Sequence, residues 1–335
     1  MPKNPKLSVC VITYNHAEFI AKALDSVLMQ RASFEYEIVI GDDCSTDGTR
    51  ETIKEYQRRW PEKVRPLFRD RNIGMQKNGK ETIETCSGEY VACLEGDDYW
   101  TDENKIQMQV DYLDGHSDCA MVHHRVKHIA WPSRAIIGEF PPPRYRIERP
   151  NPRELAMCNY VQTCSVMFRR KWLPSLDEQF QELKLGDWPL CVLLSERGWV
   201  GYIDRTMAHY RVHAKNSWNN RPADYKIRAM EKMAWYLLEK VNDGSKDLWK
   251  DTILALAFKD LALAAASLSP RKTVEKLAHF VRTSLRFKKP FWLLNRLWPY
   301  YRANYLARLP RKSDSRRNQM RHGHSSQERR DSIDP

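Results

Sequence analysis

The first third of the chain alternates short β-rich runs with stretches whose apolar residues recur at helical spacing. Leu7 to Thr13 and Glu37 to Gly41 read as strands, and between them Ile20, Ala23, Leu24, Val27 and Leu28 fall on one helical face. That is a βαβ opening. The alternation continues with a helix from about Gly48 to Trp60, a strand from Val64 to Arg69, a helix from Lys77 to Cys86 and a strand from Tyr90 to Leu94. Strands separated by helices predict a mostly parallel sheet, in which ligands bind beyond the carboxyl ends of the strands. Tyr14 and Asn15, Asp42 and Asp43, and Glu95 to Asp98 all fall at those ends, so the pattern brings them to one crevice.

Beyond this, a helix is predicted near Asn104 to Leu113 and a strand near Ala120 to His124. The stretch from Trp131 to Pro152, with Pro141, Pro142 and Pro143 together, reads as a long surface excursion. Order returns with a strand at Thr163 to Phe168, a helix from Asp187 to Glu196 and a strand at Trp199 to Ile203. From about Ala223 the pattern is helical. Leu254, Leu256, Phe258, Leu261 and Leu263 form an apolar helix interrupted by Lys259 and Asp260, too short and too charged to span a membrane and suited to a small helical bundle. After Ser313 the chain is polar, the composition of a disordered tail. Three parts follow: a domain over 1–222, a helical region over 223–313 and a tail over 314–335.

Composition changes the picture in two places. The eight cysteines are dispersed with no C-x-x-C pair, against a zinc site or a dense disulfide frame. No apolar secretory segment opens the sequence, which points to a cytoplasmic body. The formal charge of +12 is concentrated: between Glu275 and Asp314 ten basic residues stand with no acid. Phe280, Phe287, Phe291, Trp292, Trp298, Tyr300, Tyr301 and Tyr305 are interleaved with them. Basic and aromatic residues together suit an anionic membrane surface, whereas packing against the rest of the chain or, less well, nucleic acid would also use them.

The candidate chemistry lies in Leu94-Glu95-Gly96-Asp97-Asp98-Tyr99-Trp100, a strand end followed by carboxylates. Like charges in so short a run repel, and burial makes each costlier, so a divalent cation is a natural partner. Oxygen-only ligands favour Mg2+ or Mn2+. The competing reading makes Asp97 or Asp98 a cap for the helix that starts near Asp102. A nicotinamide-type domain loses its main support at the first turn, which is Thr13-Tyr14-Asn15-His16 instead of a glycine fingerprint. The second turn, Gly41-Asp42-Asp43-Cys44-Ser45-Thr46-Asp47, can accept hydrogen bonds from a base or ribose, or can be an Asx-type turn with Asp47 at a helix start.

Taken in order, Thr13-Tyr14-Asn15, Asp42-Asp43-x-Ser45-x-Asp47, Asn72-x-Gly74, and Gly88-Glu89-Tyr90 leading to Glu95-Gly96-Asp97-Asp98 resemble the nucleotide-sugar half of family 2 glycosyltransferases. The resemblance implies an α/β chain with the GT-A nucleotide-diphospho-sugar transferase fold, a mostly parallel central sheet and a helical carboxyl-terminal appendage. It is close over about residues 5 to 115 and looser to about residue 220.

It also implies roles. Thr13, Tyr14, Asn15, Asp42, Asp43 and Asn72 would form the donor side, with Tyr14 and one of the two aspartates against the base. The family's metal motif is commonly Asp-x-Asp; here Glu95 stands first, leaving Asp97 as the metal ligand and Glu95 facing ribose or a metal-bound water. Asp187, in Leu185-Gly186-Asp187-Trp188, matches the acidic motif whose carboxylate acts as base, although glycine stands where the family often has glutamate and a helix cap is the alternative. In His209-Tyr210-Arg211-Val212-His213, Arg211 would screen phosphate charge and His213 would reach the diphosphate or the metal. Trp100 and Trp188 are candidates for stacking on an acceptor sugar, against the commoner fate of core packing.

The function so implied is metal-dependent transfer of a sugar, with inversion, from a nucleoside diphosphate sugar to a glycan or lipid-linked acceptor. Cell-surface polysaccharide synthesis at the inner face of a membrane is the setting it suggests. The rivals are a sugar nucleotidyltransferase and a non-catalytic nucleotide-sugar or glycan-binding protein.

Overall fold

A computed structural model describes residues 5–150, 152–214, 218, 221–267 and 269–288. In chain order its elements are β1 (Leu7–Thr13), α1 (Ile20–Leu28), β2 (Tyr36–Asp42), α2 (Thr49–Arg59), β3 (Val64–Phe68), α3 (Met75–Thr85), β4 (Tyr90–Glu95), β5 (Tyr99–Trp100), α4 (Lys105–Gly115), β6 (Cys119–Ala130), β7 (Ile136–Phe140), α5 (Pro152–Met157), β8 (Met167–Arg169), α6 (Glu178–Gln181), α7 (Asp187–Ser195), β9 (Trp199–Val212), α8 (Ala223–Lys240), α9 (Asp243–Ala266) and α10 (Pro270–Phe287). All lie in one compact unit, residues 1–287. The basic and aromatic residues from Lys289 onward and the polar tail fall outside the described residues.

Among the described residues the strands form one sheet in the order β3-β2-β1-β4-β8-β6-β9-β5, with β7 paired to β6. The run β3-β2-β1-β4 is parallel, and β6 and β9 are parallel to each other. Strands covered on both faces read as continuous apolar runs, and every residue of β2 is buried. Helix α1 covers this layer with Ile20, Ala23, Leu24 and Val27. Helix α3 comes so close to β2 that a Cβ on Gly41 would lie 2.0 Å from Thr82 Oγ1, while Asn78 Nδ2 donates to the Gly41 carbonyl at 2.8 Å.

Three elements depart from the pattern read along the sequence. The excursion after Trp131 contains β7, which folds back on β6 as a hairpin arm. The stretch Thr163–Ser165 is a 3-10 turn, and the strand after it is only Met167–Arg169. Strand β9 runs nine residues beyond Ile203, because register shifts at His124 and Arg125 let β6 stay paired with it while breaking the apolar alternation. Its far end pairs with β5, Tyr99 opposite His209 and Trp100 opposite Ala208. This pairing fixes the turn between β4 and β5 against the end of β9.

A buried polar chain lies beneath that turn. Lys105 is fully buried, with Nζ donating to Gln109 Oε1 at 2.6 Å and lying 3.8 Å from the centre of the Trp100 ring. Gln109 Nε2 donates in turn to the carbonyls of Ser165 and Val122. Burial pushes the Lys105 amine down from 10.5 to about 7. The unfolded chain therefore binds more protons between those two values, and the folded protein gains stability as pH rises through that window. Relative to Lys105→Met, the wild type should gain up to about 1.4 kcal/mol per pH unit between about pH 7 and 10. Urea unfolding of both proteins across that range measures this, and a difference that does not change with pH would give Lys105 an ordinary amine.

Candidate active site

The carboxylate turn begins where β4 ends. The Gly96 amide donates to the Ile12 carbonyl at 2.9 Å, closing the turn onto β1, and the Asp98 amide donates to the Glu95 carbonyl at 3.0 Å. A side chain at Gly96 would not fit: its Cβ would lie 2.5 Å from Thr13 Oγ1 and 2.8 Å from Thr13 Cβ. One oxygen from each of Glu95, Asp97 and Asp98 comes within 4.8 Å of the others.

Their electrostatics diverge. Burial, reinforced by the charges of Asp97 and Asp187, pushes the Glu95 carboxyl up to about 8. Burial and the charges of Asp97 and Glu95 likewise raise Asp98 well above the carboxylate range, against the opposing influence of Arg211. Burial acts on Asp97 in the same sense, yet the His213 hydrogen bond and the imidazoles of His16 and His213 outweigh it and hold that carboxyl below its usual value. His213 Nε2 donates to Asp97 Oδ2 at 3.0 Å, and His16 Nε2 lies 3.8 Å from the same oxygen.

Arg211 locks the turn from below. Its amide donates to Asp98 Oδ1 at 2.8 Å, and its guanidinium donates to the Asp97 carbonyl and lies over the rings of Tyr99, Phe19 and Trp131. Neither Asp97 nor Asp98 caps α4, whose preceding residue Asn104 bonds instead to Asp102. Asp98 Oδ2 is buried with no hydrogen-bond partner among the described residues. An all-oxygen cluster of closely spaced carboxyls with an unsatisfied buried oxygen fits a hard divalent cation.

Residues 8–173 match the model of Glycosyl transferase family 2. They form a family 2 glycosyl transferase domain. The chain is 39% identical over 218 residues to an uncharacterized protein of Mycobacterium tuberculosis, a match covering 65% of this chain and 62% of the other. It thus spans less than two thirds of that relative. A second relative, the poly(ribitol-phosphate) beta-N-acetylglucosaminyltransferase TarS of Staphylococcus aureus, is 31% identical over 118 residues, 35% of this chain and 20% of TarS. The crystal structure of TarS 1-349 in complex with UDP-GlcNAc superposes with a TM-score of 0.59 at 18% identity, covering 83% of this chain and 81% of that one. The mannosyltransferase PcManGT from Pyrobaculum calidifontis, in complex with GDP-Man and Mn2+, gives 0.53 at 17% identity over 84% of this chain and 81% of its own. The fold is GT-A.

Within the transferase domain the residues expected on the donor side divide into two groups. Tyr14 is 45% exposed and Asn72 is exposed, so both are open to a ligand. The others build the frame. Asp42, expected against a base, is fully buried and holds Arg50 Nε at 2.6 Å and the Ser45 amide. Asp43 is buried and accepts the amides of Ile73 and Gly74 at 2.7 and 2.9 Å, shaping the loop that carries Asn72. Asn15 has a φ of 55°, a left-handed conformation that asparagine tolerates, and stitches the first turn to the second: its amide donates to Ser45 Oγ and its Oδ1 accepts from the Thr46 amide. Thr13 is buried beneath Gly96, its hydroxyl 3.2 Å from His16 Nδ1. Arg211, expected to face phosphate, is buried against the turn and its aromatic neighbours. Asp47 serves the helix start, accepting from the amides of Ala17 and Thr49.

On the acceptor side, Asp187 is the first residue of α7 and receives Asn159 Nδ2 at 3.1 Å. Burial raises its carboxyl above the usual range. The Gln76 side chain lies beside Gly186, its Oε1 2.0 Å from where a Cβ would stand, a contact that the flexible Gln76 can relieve by turning away. Both tryptophans prove to be core residues. Trp100 is 1% exposed with Nε1 donating to the Cys164 carbonyl, and Trp188 is 5% exposed with Nε1 donating to the Leu155 carbonyl, so neither offers a face to a sugar. His16, Arg50, Gln76 and Asn159 escaped the sequence reading of roles. Of these only His16 stood inside a recognised motif.

Gly96→Ala should lower stability by about 1–3 kcal/mol, since the new methyl overlaps Thr13 Cβ, which cannot swing away. A urea midpoint equal to the wild type would mean that the turn moves at no cost.

Proposed function

We propose that the chain is a metal-dependent, inverting glycosyltransferase that moves a sugar from a nucleoside diphosphate sugar to an acceptor hydroxyl. The observation that carries this is the cluster of Glu95, Asp97 and Asp98 at the end of β4, one oxygen of each within 4.8 Å of the others, with Asp187 near enough for its charge to act on Glu95. A cation site and a basic carboxylate are then neighbours in one site.

Asp97 and His213, with Glu95 and Asp98 beside them, are the residues that would hold Mg2+ or Mn2+. When bound, the cation offsets the negative charge that grows on the departing diphosphate. Tyr14 and Asn72, both exposed, would meet the nucleotide. Asp187 takes the proton of the acceptor hydroxyl as that oxygen attacks the anomeric carbon from the face opposite the diphosphate. Its raised carboxyl makes it a stronger base than an exposed aspartate, and Asn159 holds its orientation.

Support comes from the relatives: TarS is named for acetylglucosaminyl transfer to poly(ribitol-phosphate), and the two structural neighbours hold UDP-GlcNAc and GDP-Man, the latter with Mn2+. By that likeness the acceptor is a cell-surface glycan or its lipid-linked precursor. Residues 1–222 are then the catalytic domain, and residues 276–313 the part that meets an anionic membrane surface from the cytoplasmic side. No helix among the described residues is long and apolar enough to cross a membrane.

The first test is a panel of nucleoside diphosphate sugars with purified protein and Mn2+ or Mg2+, reading released nucleoside diphosphate with and without EDTA. Slow metal-dependent hydrolysis of one donor is expected; release of pyrophosphate would favour a nucleotidyltransferase, and donor binding without turnover a binding protein. Two variants separate the roles. Asp97→Asn should abolish the Mn2+ dependence of UDP binding in calorimetry with the fold intact, and unchanged titrations would remove the metal assignment. Asp187→Asn should keep UDP binding and lose transfer by roughly 100-fold or more, and substantial residual transfer would place the base elsewhere.

A further inference from the structure

Helix α10 carries two apolar faces. One is spent inside the fold: Phe280, Thr283 and Ser284 are buried, the Phe280 ring packs on Phe258 at 5.7 Å and the Phe287 ring on Trp235 at 5.2 Å. The same side is pinned by Lys276 Nζ on Asp260 at 2.9 Å and by His279 Nε2 on Glu231 at 2.6 Å. Among the described residues the other face is uncovered. Val274, Leu277 and Leu285 are 67%, 47% and 70% exposed, and with the half-buried Val281 between them they recur at helical spacing along the whole element. Exposed Arg271 and Arg282 stand beside this stripe and Lys272 and Arg286 farther round the helix, Arg286 with its guanidinium over the Trp235 ring at 4.6 Å, against one exposed acid on the helix, Glu275.

We propose that this face of α10 lies on an anionic lipid surface, with Val274, Leu277, Val281 and Leu285 entering the headgroup boundary and the flanking arginines and lysines meeting lipid phosphates. The inference rests on the reading of the chain as a transferase that acts at a membrane, and names the surface by which it does so. Charge selects the occupant. A second copy related by a twofold axis along the stripe would bring the same cations face to face, and nucleic acid would leave the aliphatic residues unused. An anionic bilayer satisfies both sets of groups at once. Continuity of the sequence points the same way: from Lys276 to Ser313 the chain has ten basic residues and no acid.

The test uses the full chain and vesicles of phosphatidylcholine with or without phosphatidylglycerol, read by flotation, beside UDP calorimetry on the same preparations. Wild type should float with the anionic vesicles and stay behind with the neutral ones. The exposed pair Leu277→Gln with Leu285→Gln, and separately Arg271→Gln with Arg282→Gln, should each reduce the bound fraction about tenfold or more, with UDP binding retained. Flotation of the leucine variant at the wild-type level would overturn the proposal, as would failure of the wild type to bind anionic vesicles. A dimer in light scattering that the leucine substitutions dissolve would also overturn it, assigning the face to a second copy. Flotation that depends on the stripe in a protein that does not bind UDP would uphold the surface and reject the donor reading alone.

Discussion

Mutual repulsion among three carboxylates on one short turn is the constraint around which the rest of this site is arranged. Two such charges about 4 Å apart repel by about 4 kcal/mol at an effective dielectric of 20, a large part of a domain's net stability. The fold meets the problem by unequal treatment. Burial pushes Glu95 and Asp98 up, while His16 and His213 hold Asp97 down, so the three carboxyls are driven apart in acidity instead of sharing one. That distribution is a poised state. The same oxygens that are costly alone become favourable ligands once a cation shares them.

Holding such a turn requires mechanical support from elements distant in sequence. Gly96 permits contact with Thr13, β5 pairs with the end of β9, and Arg211 threads beneath Asp97 and Asp98. The second and third loops are built on the same plan. Asp42 with Arg50, Asp43 with the amides of Ile73 and Gly74, and Asn15 with Ser45 and Thr46 tie the loops at the carboxyl ends of β1, β2 and β3 to one another. A polar motif at a strand end thus contains two populations, those that meet a ligand and those that hold them in place.

That division explains what could be read along the chain. The first four long strands and the helices between them followed from apolar periodicity, because each is covered by its own neighbours in sequence. Their carboxyl ends, and with them the site's location, came at the same stage. Which polar residues face outward did not, since the burial of Asp42 depends on Arg50 and that of Arg211 on the pairing of Tyr99 with His209 across more than a hundred residues. Trp100 and Trp188 illustrate the same limit. Each follows an acidic motif, yet each ring turns inward to a carbonyl contributed by another segment, Cys164 or Leu155. Asn159 gave no signal at all, being an isolated polar residue in an irregular stretch that becomes meaningful only through Asp187.

The two halves of the site are joined by charge as well as by space. The ionised Asp187 helps to raise Glu95, and an electrostatic coupling acts equally in both directions. The ionisation of either carboxyl is therefore felt by the other.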